Sequence, residues 1–179
     1  MSNEDFFDAI VIGGGQAGLA AGYNLAQKGK SFVILDENQR TGESWRNRWD
    51  SLHLFTPSQF NGLPGLPFPK PTYYVPTKEE VADYLEGYAK QFRLPIKHGV
   101  RVEALNYNNR QFQVSTGSAN LFARNVIIAT GPFQIPYTPS FSNELDPKIV
   151  QLHSDSYCNP KQITVQTVLV VGAGTQGSR

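Results

Sequence analysis

The stretch "FDAIVIGGGQAGLAAGYNLAQKGKSFVILDE", Phe7 to Glu37, decides the fold. Near its start lies the β-branched run Ile10–Ile12, which is typical of a buried strand. An Ala- and Leu-rich segment from Gln16 to Lys28 has the composition of a helix, and Gly29 follows at the usual position of a C-terminal cap. Because "SFVILD" supplies a second apolar strand, the order predicts a βαβ unit with parallel strands and a right-handed crossover.

A glycine turn joins the first strand to the helix. Gly13, Gly15 and Gly18 fit the pattern G-x-G-x-x-G. In a dinucleotide-binding turn, the first glycine makes the tight turn, the second lets the backbone approach a pyrophosphate, and the third lets the helix pack closely on the strand. Phosphates would bind N–H groups at the positive end of the helix, so Gln16 and Ala17 join the predicted site. The alternative is a glycine-rich turn that binds no ligand.

The second strand ends in two acidic residues, Asp36 and Glu37. In a dinucleotide-binding unit, an acidic residue about 20 positions after the glycines accepts hydrogen bonds from a ribose hydroxyl. We therefore assign Asp36 and Glu37 to the same predicted site. A solvated acid at the end of a strand is the alternative for Asp36.

The middle of the chain predicts an ordered loop and a helix. Between residues 56 and 76, prolines forbid a regular helix or central strand, while apolar and aromatic residues argue against a disordered linker. The following segment, "TKEEVADYLEGYAKQF", predicts a helix because Thr77 and Glu80 fit a capping box. Its predicted buried face consists of Val81, Tyr84, Leu85, Tyr88 and Phe92.

Three short β-like runs follow, "GVRVEALNY", "QFQVST" and "LFARNVIIAT". They predict an antiparallel meander whose apolar end, Asn125 to Thr130, returns to the main sheet. The chain closes with a predicted strand, Thr167 to Val171, and a second glycine turn at Gly172, Gly174 and Gly177. The predicted fold class is α/β: a Rossmann-like domain with a parallel sheet and an antiparallel β-meander, followed by the first strand of a second nucleotide-binding domain.

The paired glycine turns, with "ATG" (Ala129 to Gly131) between them, resemble those of flavoproteins that bind two dinucleotides. In such proteins one Rossmann-like domain holds FAD, and a second domain inserted in it holds NADPH. The segment "TGESWRNRWDSLHLFTPSQFNGLPGLPFP" is similar to the flavin-containing monooxygenase group, in its bacterial branch related to the plant YUCCA enzymes. The resemblance runs from about Asp8 to Arg179. It implies an FAD-binding domain over residues 1–160 and the start of a truncated NAD(P)H-binding domain over residues 161–179.

The resemblance also implies roles for individual residues. Gly13 to Gly18 would hold the FAD pyrophosphate, and Asp36 would stand in place of the family's ribose-binding Glu. The other implied FAD contacts are Ser44, Trp45 and Arg46 of the G-x-x-W-R segment, Val102 through its backbone, Thr130 and Gly131. Gly172, Gly174 and Gly177 would begin the NADP(H) site. The alternatives are a core position for Trp45 and a surface charge for Arg46.

The sequence departs from the family pattern at two places. The fingerprint F-x-G-x-x-x-H-x-x-x-W/F falls on "PKIVQLHSDSY", where His153 and Tyr157 fit but Pro147 and Ile149 replace the Phe and Gly. An Asn that lies near the flavin in the animal enzymes aligns with Phe55. The first departure weakens the assignment to strict monooxygenases, and the second weakens the case for a stabilised flavin hydroperoxide.

Composition excludes several other classes of protein. The 16 Lys and Arg nearly balance the 15 Asp and Glu, so no basic excess indicates a nucleic-acid or membrane partner. One cysteine, Cys158, cannot form a C-x-x-C redox pair or a cysteine metal cluster, and no metal site is predicted. The acidic start "MSNEDFFDAI" is unlike a signal or transit peptide, so we expect a cytoplasmic protein. One expected partner is a small-molecule substrate. We also expect the apolar strand Thr167 to Val171 to be buried by a homodimer contact, by further residues or by another chain.

The resemblance implies an FAD-binding, NAD(P)H-dependent oxidoreductase. The expected function is the N-terminal part of a flavin monooxygenase that reduces FAD with NADPH and oxygenates a small organic substrate through a peroxyflavin. Such chemistry comes from the cofactors, and the sequence identifies no catalytic acid, base or nucleophile. Two alternatives remain. One is a truncated, non-catalytic FAD-binding module, and the other is a flavin reductase of the thioredoxin-reductase type that lacks the redox dithiol.

Overall fold

A six-stranded sheet forms the centre of the protein in a computed structural model that describes residues 6–131, 135–164 and 167–172. In chain order the strands are β1 (Phe6–Ile12), β2 (Phe32–Leu35), β3 (Ile96–Lys97), β4 (Val102–Asn108), β5 (Gln111–Thr116) and β6 (Ala119–Ile128). The α-helices of the described residues are α1 (Gln16–Gln27), α2 (Glu43–Arg46) and α3 (Lys78–Gln91). Short 3₁₀ helices lie at Ser58–Phe60, Ser140–Glu144 and Pro160–Gln162.

The sheet combines a parallel and an antiparallel half in the order β3-β2-β1-β6-β5-β4. β1 lies in the centre and pairs in parallel with β2 and β6, with Val11 opposite Ile34 on one side and Ile127 on the other. β4, β5 and β6 pair antiparallel. The predicted α/β class, with a parallel sheet and a β-meander, is confirmed. The meander is continuous with the main sheet because the long strand β6 belongs to both.

Alternation along β1 produces two cores, one on each face of the sheet. Ala9 and Val11 pack with α1 and α3 on one face, whereas Ile10 and Ile12 pack with the meander on the other. Val11 and Ile10 are both fully buried. A strand covered on both faces needs an unbroken apolar run, which explains the sequence of β1.

Glycines flank the helix α1 on both sides. Gly15 is its N-cap, and Gly29 follows the C-cap Lys28 with φ of +61°. An L-residue rarely adopts this left-handed conformation, so the predicted C-terminal role of Gly29 is confirmed.

The proline-rich segment is an ordered loop fastened to α3. The capping box of Thr77 and Glu80 starts α3 as predicted. The Tyr84 hydroxyl donates to the Leu66 carbonyl oxygen at 2.7 Å and accepts from the Leu63 N–H at 2.6 Å. The loop therefore follows the buried face of α3.

The predicted strand Thr167 to Val171 is not formed. Residues 167–172 have no strand conformation, and Leu169 is 86% exposed. A strand needs a neighbour for its backbone hydrogen bonds, and the sheet ends at β3 and β4 without pairing with this segment. Gly172 is the last described residue of the second turn, whereas Gly174 and Gly177 lie outside the described residues. The division at residue 160 stays a prediction.

Within the described part of the chain, none of the helices has the length and the apolar run needed to cross a bilayer.

Candidate nucleotide-binding site

Three parallel strands end at one edge of the sheet and bring the predicted site residues together. Gly13 follows β1, Asp36 follows β2, and Ala129 follows β6. The Gly13 N–H donates to the Leu35 carbonyl oxygen, and the Ala129 N–H donates to that of Ile12, each at 2.8 Å. In parallel α/β sheets, ligands bind outside the carboxyl ends of the strands, which is where these residues lie.

Gly13 and Gly18 of the first turn are required by the protein's own packing. Gly13 has φ of +106°, and a Cβ there would lie 2.4 Å from the Ala129 carbonyl oxygen. A Cβ at Gly18 would lie 1.8 Å from the Gly13 carbonyl oxygen. The turn and the close approach of α1 to β1 therefore exclude any side chain at either position.

Gly15 is different, because nothing in the described chain requires a glycine there. Its φ of −78° suits any residue, and a Cβ would meet no atom within 4 Å. It is the N-cap of α1, where no side-chain hydrogen bond caps the helix among the described residues. The open space lies beside the first N–H groups of the helix, at the exposed Gln16 and Ala17, where an anion is favoured.

Asp36 closes the turn from the end of β2. It is 6% exposed, and its Oδ2 accepts a hydrogen bond from the Gly14 N–H at 2.9 Å. Its Oδ1 accepts from the backbone N–H and the side-chain amide of Asn38, both at 2.9 Å. The sequence did not reveal this second role, in which Asp36 fixes the shape of the glycine turn. Glu37 is half exposed and approaches Arg101 at 3.9 Å.

The three residues predicted to contact FAD in the Trp-Arg segment have different environments in the structure. Ser44 is exposed, and Trp45 is partly buried against the core beneath α1 and α3. Arg46 Nη1 donates to the Thr41 carbonyl oxygen at 2.8 Å, and its Nη2 lies 2.7 Å from Asp83 and 3.2 Å from Glu86. The Arg46 guanidinium thus holds α2 on α3, and its predicted FAD contact stays a prediction.

Glu86 is the centre of this ion-pair cluster and was missed in the sequence. Hydrogen bonds from Lys90 and Arg40 lower the pKa of its carboxyl from 4.5 to about 2. The spacing of Glu86 and Lys90 is a recognisable i,i+4 pair. No local pattern indicates the contacts with Arg40 and Arg46, because α2 and α3 are distant in sequence.

The remaining predicted residues lie around the same edge. The N–H of Val100 donates to the Asp36 backbone oxygen at 2.9 Å, and Val102 begins β4 two residues later. Thr130 and Gly131 follow β6, and Gly131 has φ of +78°. The structure therefore brings Val100, Thr130 and Gly131 to the end of the sheet where the glycine turn lies. Val102 pairs with Thr116 of β5, and its predicted FAD contact stays a prediction.

The groups at this edge of the sheet are suited to binding a ligand. It offers backbone N–H donors, one buried carboxylate and an open space beside a helix N-terminus. Across the described ranges 6–131, 135–164 and 167–172, no three His, Cys, Asp or Glu side chains come together as a metal site requires. The arrangement fits a ligand that carries phosphates and a ribose.

Comparison with known proteins agrees with this geometry. The chain is 47% identical over 172 residues to an uncharacterized oxidoreductase, CzcO-like, of Geobacillus kaustophilus (strain HTA426), covering 96% of this chain and 49% of that protein. It is 33% identical over 175 residues to the indole-3-pyruvate monooxygenase YUCCA1 of Oryza sativa subsp. japonica, covering 94% and 43%. The structure of a flavin-containing monooxygenase from Stenotrophomonas maltophilia matches with a TM-score of 0.82 and 37% identity, covering 88% and 48%.

The chain spans about half the length of the CzcO-type relatives that it matches. A more distant structure, of OTEMO in complex with FAD and NADP, shares the fold with a TM-score of 0.64 at 22% identity. The resemblance to flavin monooxygenases drawn from the sequence is thereby confirmed, and structural neighbours include FAD- and NADP-bound proteins.

The family model of the pyridine nucleotide-disulphide oxidoreductases matches residues 10–177, from the middle of β1 to the second glycine turn. The chain belongs to the pyridine nucleotide-disulphide oxidoreductase family.

Proposed function

We propose that the chain binds FAD at the glycine turn and forms the N-terminal, FAD-holding part of an NAD(P)H-dependent flavin monooxygenase. The observation that carries the proposal is the open space at Gly15. Gly13 and Gly18 lack side chains because the chain itself excludes them, whereas Gly15 lacks one beside a helix N-terminus with room for a ligand. A backbone that must approach a pyrophosphate requires a position without a side chain, with free space beside it.

The neighbouring residues suit the other parts of such a ligand. Asp36 uses three acceptor positions within the chain, and a carboxylate has about four lone-pair sites, so one remains for a ribose hydroxyl. Thr130 and Gly131 follow the adjacent strand β6, and we propose that they extend the site along the sheet edge. Ser44, Trp45 and Arg46 follow Asp36 in the sequence, and we propose that they line the cofactor.

The second glycine turn supports a second nucleotide site. Gly172 has φ of +116°, close to the +106° of Gly13, so both turns begin with a backbone conformation that favours glycine. We propose that Gly172, Gly174 and Gly177 begin the NAD(P)H site. When both cofactors are bound, they supply hydride transfer and activation of oxygen, while this chain contributes binding and orientation.

The proposal includes the partners and the location expected from the sequence. The substrate is a small organic molecule, as it is for the monooxygenase relatives, and the protein is cytoplasmic. The exposed apolar residues Val168 to Val171 support the prediction that further residues or another chain cover this segment.

FAD titration of the purified protein tests the proposal. We expect a bound flavin spectrum, and we expect Gly15→Ala to weaken FAD binding at least about tenfold by placing a methyl group against the phosphates. Because no atom of the described residues lies within 4 Å of that methyl group, the free energy of unfolding without FAD should change by no more than about 1 kcal/mol.

Gly29→Ala is the matched control. It lies at the other end of α1 with φ of +61°, so it should lower the free energy of unfolding by about 1 kcal/mol and leave FAD affinity unchanged. A wild-type protein that binds no FAD would refute the proposal. If the bound flavin keeps its oxidised absorbance spectrum when NADPH is added in the absence of air, the result would instead support the alternative of a non-catalytic FAD-binding module.

A further inference from the structure

A buried lysine lies at the start of α3, outside the residues assigned to the site. Lys78 is 7% exposed, and its Nζ donates to the carbonyl oxygens of Arg46 at 2.9 Å and Arg48 at 2.6 Å. Two carboxylates are near the same ammonium group, Asp50 at 3.7 Å and Glu79 at 3.6 Å. A buried ammonium needs such partners, so its position is fixed by several contacts at once.

The two carbonyl groups belong to the end of α2 and to the loop that follows it. The last carbonyls of a helix lack partners within the helix, and a cation near them is favoured by the helix dipole. α2 has four residues, Glu43–Arg46, and cannot hold its own position through internal hydrogen bonds alone. Lys78 therefore supplies, from α3, the donor that fixes this end of the Trp-Arg segment.

The same loop is tied to residues 155–159, which are over 100 positions away in the chain. Arg48 Nη1 pairs with Asp155 Oδ1 at 3.0 Å. The Asp50 N–H donates to the Cys158 carbonyl oxygen at 2.8 Å, and the Asn159 side-chain amide donates to Asp50 Oδ2 at 2.9 Å. Lys78, Arg48 and Asp50 thus form one connected network between α2, α3 and residues 155–159.

We propose that Lys78 is a positioning residue for flavin binding. It holds α2, with Ser44 to Arg46, in the position that the cofactor requires, and it is connected to residues 155–159 through Arg48 and Asp50. The inference rests on the proposed function, because the ligand of the Trp-Arg segment is the proposed FAD. Lys78 acts through α2 and does not touch the cofactor.

The test uses Lys78→Met, which keeps the length of the side chain and removes the donors. Lys90→Met is the matched control, because Lys90 lies on the same helix with an exposed ion pair to Glu86. Both tryptophans of the protein, Trp45 and Trp49, lie in the affected segment, so tryptophan emission reports on it directly. Among the described residues, Trp49 Nε1 is buried without a hydrogen-bond partner, so entry of water after loosening should shift its emission to the red.

We expect Lys78→Met to raise the FAD dissociation constant at least about tenfold and to shift tryptophan emission to the red, with Lys90→Met changing neither. Unchanged FAD affinity and emission in a folded Lys78→Met protein would overturn the inference. If Lys78→Met does not fold, Lys78→Gln is measured instead. A loss of thermal stability with wild-type affinity and emission would then show a merely structural role and reject the inference.

The two proposals fail in different ways. If the wild-type protein binds no FAD, the proposed function is wrong and the positioning of a flavin fails with it. If the wild type binds FAD and Lys78→Met binds it equally well, only the role of Lys78 is wrong.

Discussion

The Asp36 carboxylate accepts a hydrogen bond from the Gly14 N–H at 2.9 Å, joining residues 22 positions apart. This bond connects the end of β2 to the turn that follows β1. It also explains why position 14 is a glycine, because a Cβ there would lie 2.3 Å from Asp36 Oδ2. Asp36 therefore shapes the turn before any ligand arrives.

Replacement of Asp36 should cost stability as well as ligand affinity. Asp36→Ala leaves the Gly14 N–H and the Asn38 groups without their acceptor, which should lower the free energy of unfolding by about 1–3 kcal/mol. Urea unfolding without FAD measures this loss. Glu37→Gln is the control, since the Glu37 side chain is 53% exposed. A change below about 0.5 kcal/mol in Asp36→Ala would contradict the structural role.

A double-mutant cycle tests the close approach between the same two residues. Gly14→Ala should destabilise the wild-type protein by about 1–3 kcal/mol, because its methyl group meets the Asp36 carboxylate. In the Asp36→Ala background the carboxylate is gone, and the cost of Gly14→Ala should fall by at least about 0.5 kcal/mol. Additive losses of free energy would show that the two positions do not interact.

The close contact of α1 with β1 makes a sharper prediction at Gly18. Its Cβ would lie 1.8 Å from a backbone oxygen that cannot move without breaking the turn. Gly18→Ala should therefore lower the free energy of unfolding by about 3 kcal/mol or more, whereas Gly15→Ala on the same turn stays within about 1 kcal/mol. Thermal unfolding of the two variants measures this difference in stability. Equal midpoint temperatures would contradict the predicted clash at Gly18.

Tyrosine hydroxyls should hold the proline-rich loop. Tyr84→Phe removes one bond donated to the Leu66 carbonyl oxygen and one accepted from the Leu63 N–H. We expect a loss of about 1–2 kcal/mol in the free energy of unfolding and faster protease cleavage between residues 63 and 67. Tyr73→Phe, at a side chain that is 82% exposed, should change neither quantity. Wild-type cleavage rates in Tyr84→Phe would show that other contacts hold the loop.

The ion-pair cluster at Glu86 predicts a dependence of stability on pH. Because hydrogen bonds from Lys90 and Arg40 lower the pKa of Glu86 to about 2, ionised Glu86 stabilises the folded state. This contribution is complete above the ordinary pKa of 4.5 and is lost as the pH falls toward 2. Glu86→Gln should cost about 0.5–1 kcal/mol near neutral pH, and the difference from wild type should shrink below pH 4.5.

Urea unfolding at several pH values measures this difference. Glu144→Gln, at an exposed carboxylate of a 3₁₀ helix, is the control that should follow the wild type throughout. A Glu86→Gln difference that is constant from neutral to acidic pH would refute an ionic contribution.

Much of the fold could be predicted because its signals are local. The capping box of Thr77 and Glu80 spans four residues, and the alternation along β1 spans seven. The partners of Arg46 could not be predicted in this way. Asp83 and Glu86 are 37 and 40 positions away, and only the packing of α2 on α3 makes them neighbours.

The predicted strand Thr167 to Val171 is a second case in which a local sequence pattern does not determine the structure. Its β-branched, apolar sequence favours an extended strand, yet its residues are exposed and pair with no strand of the sheet. Propensity describes what a segment can do, and pairing requires a neighbour in space.

The sequence by itself determined the βαβ unit, the glycine turn and the place of Asp36 after β2, because hydrophobic period and glycine spacing act within a few residues. The tertiary structure decided which glycines the protein needs for itself and which it leaves open for a ligand. It also decided that Asp36 fixes the turn, and that Lys78 contacts the end of α2 in a network that reaches residues 155–159 through Arg48 and Asp50. These outcomes depend on distances between atoms far apart in the chain, which no local pattern contains.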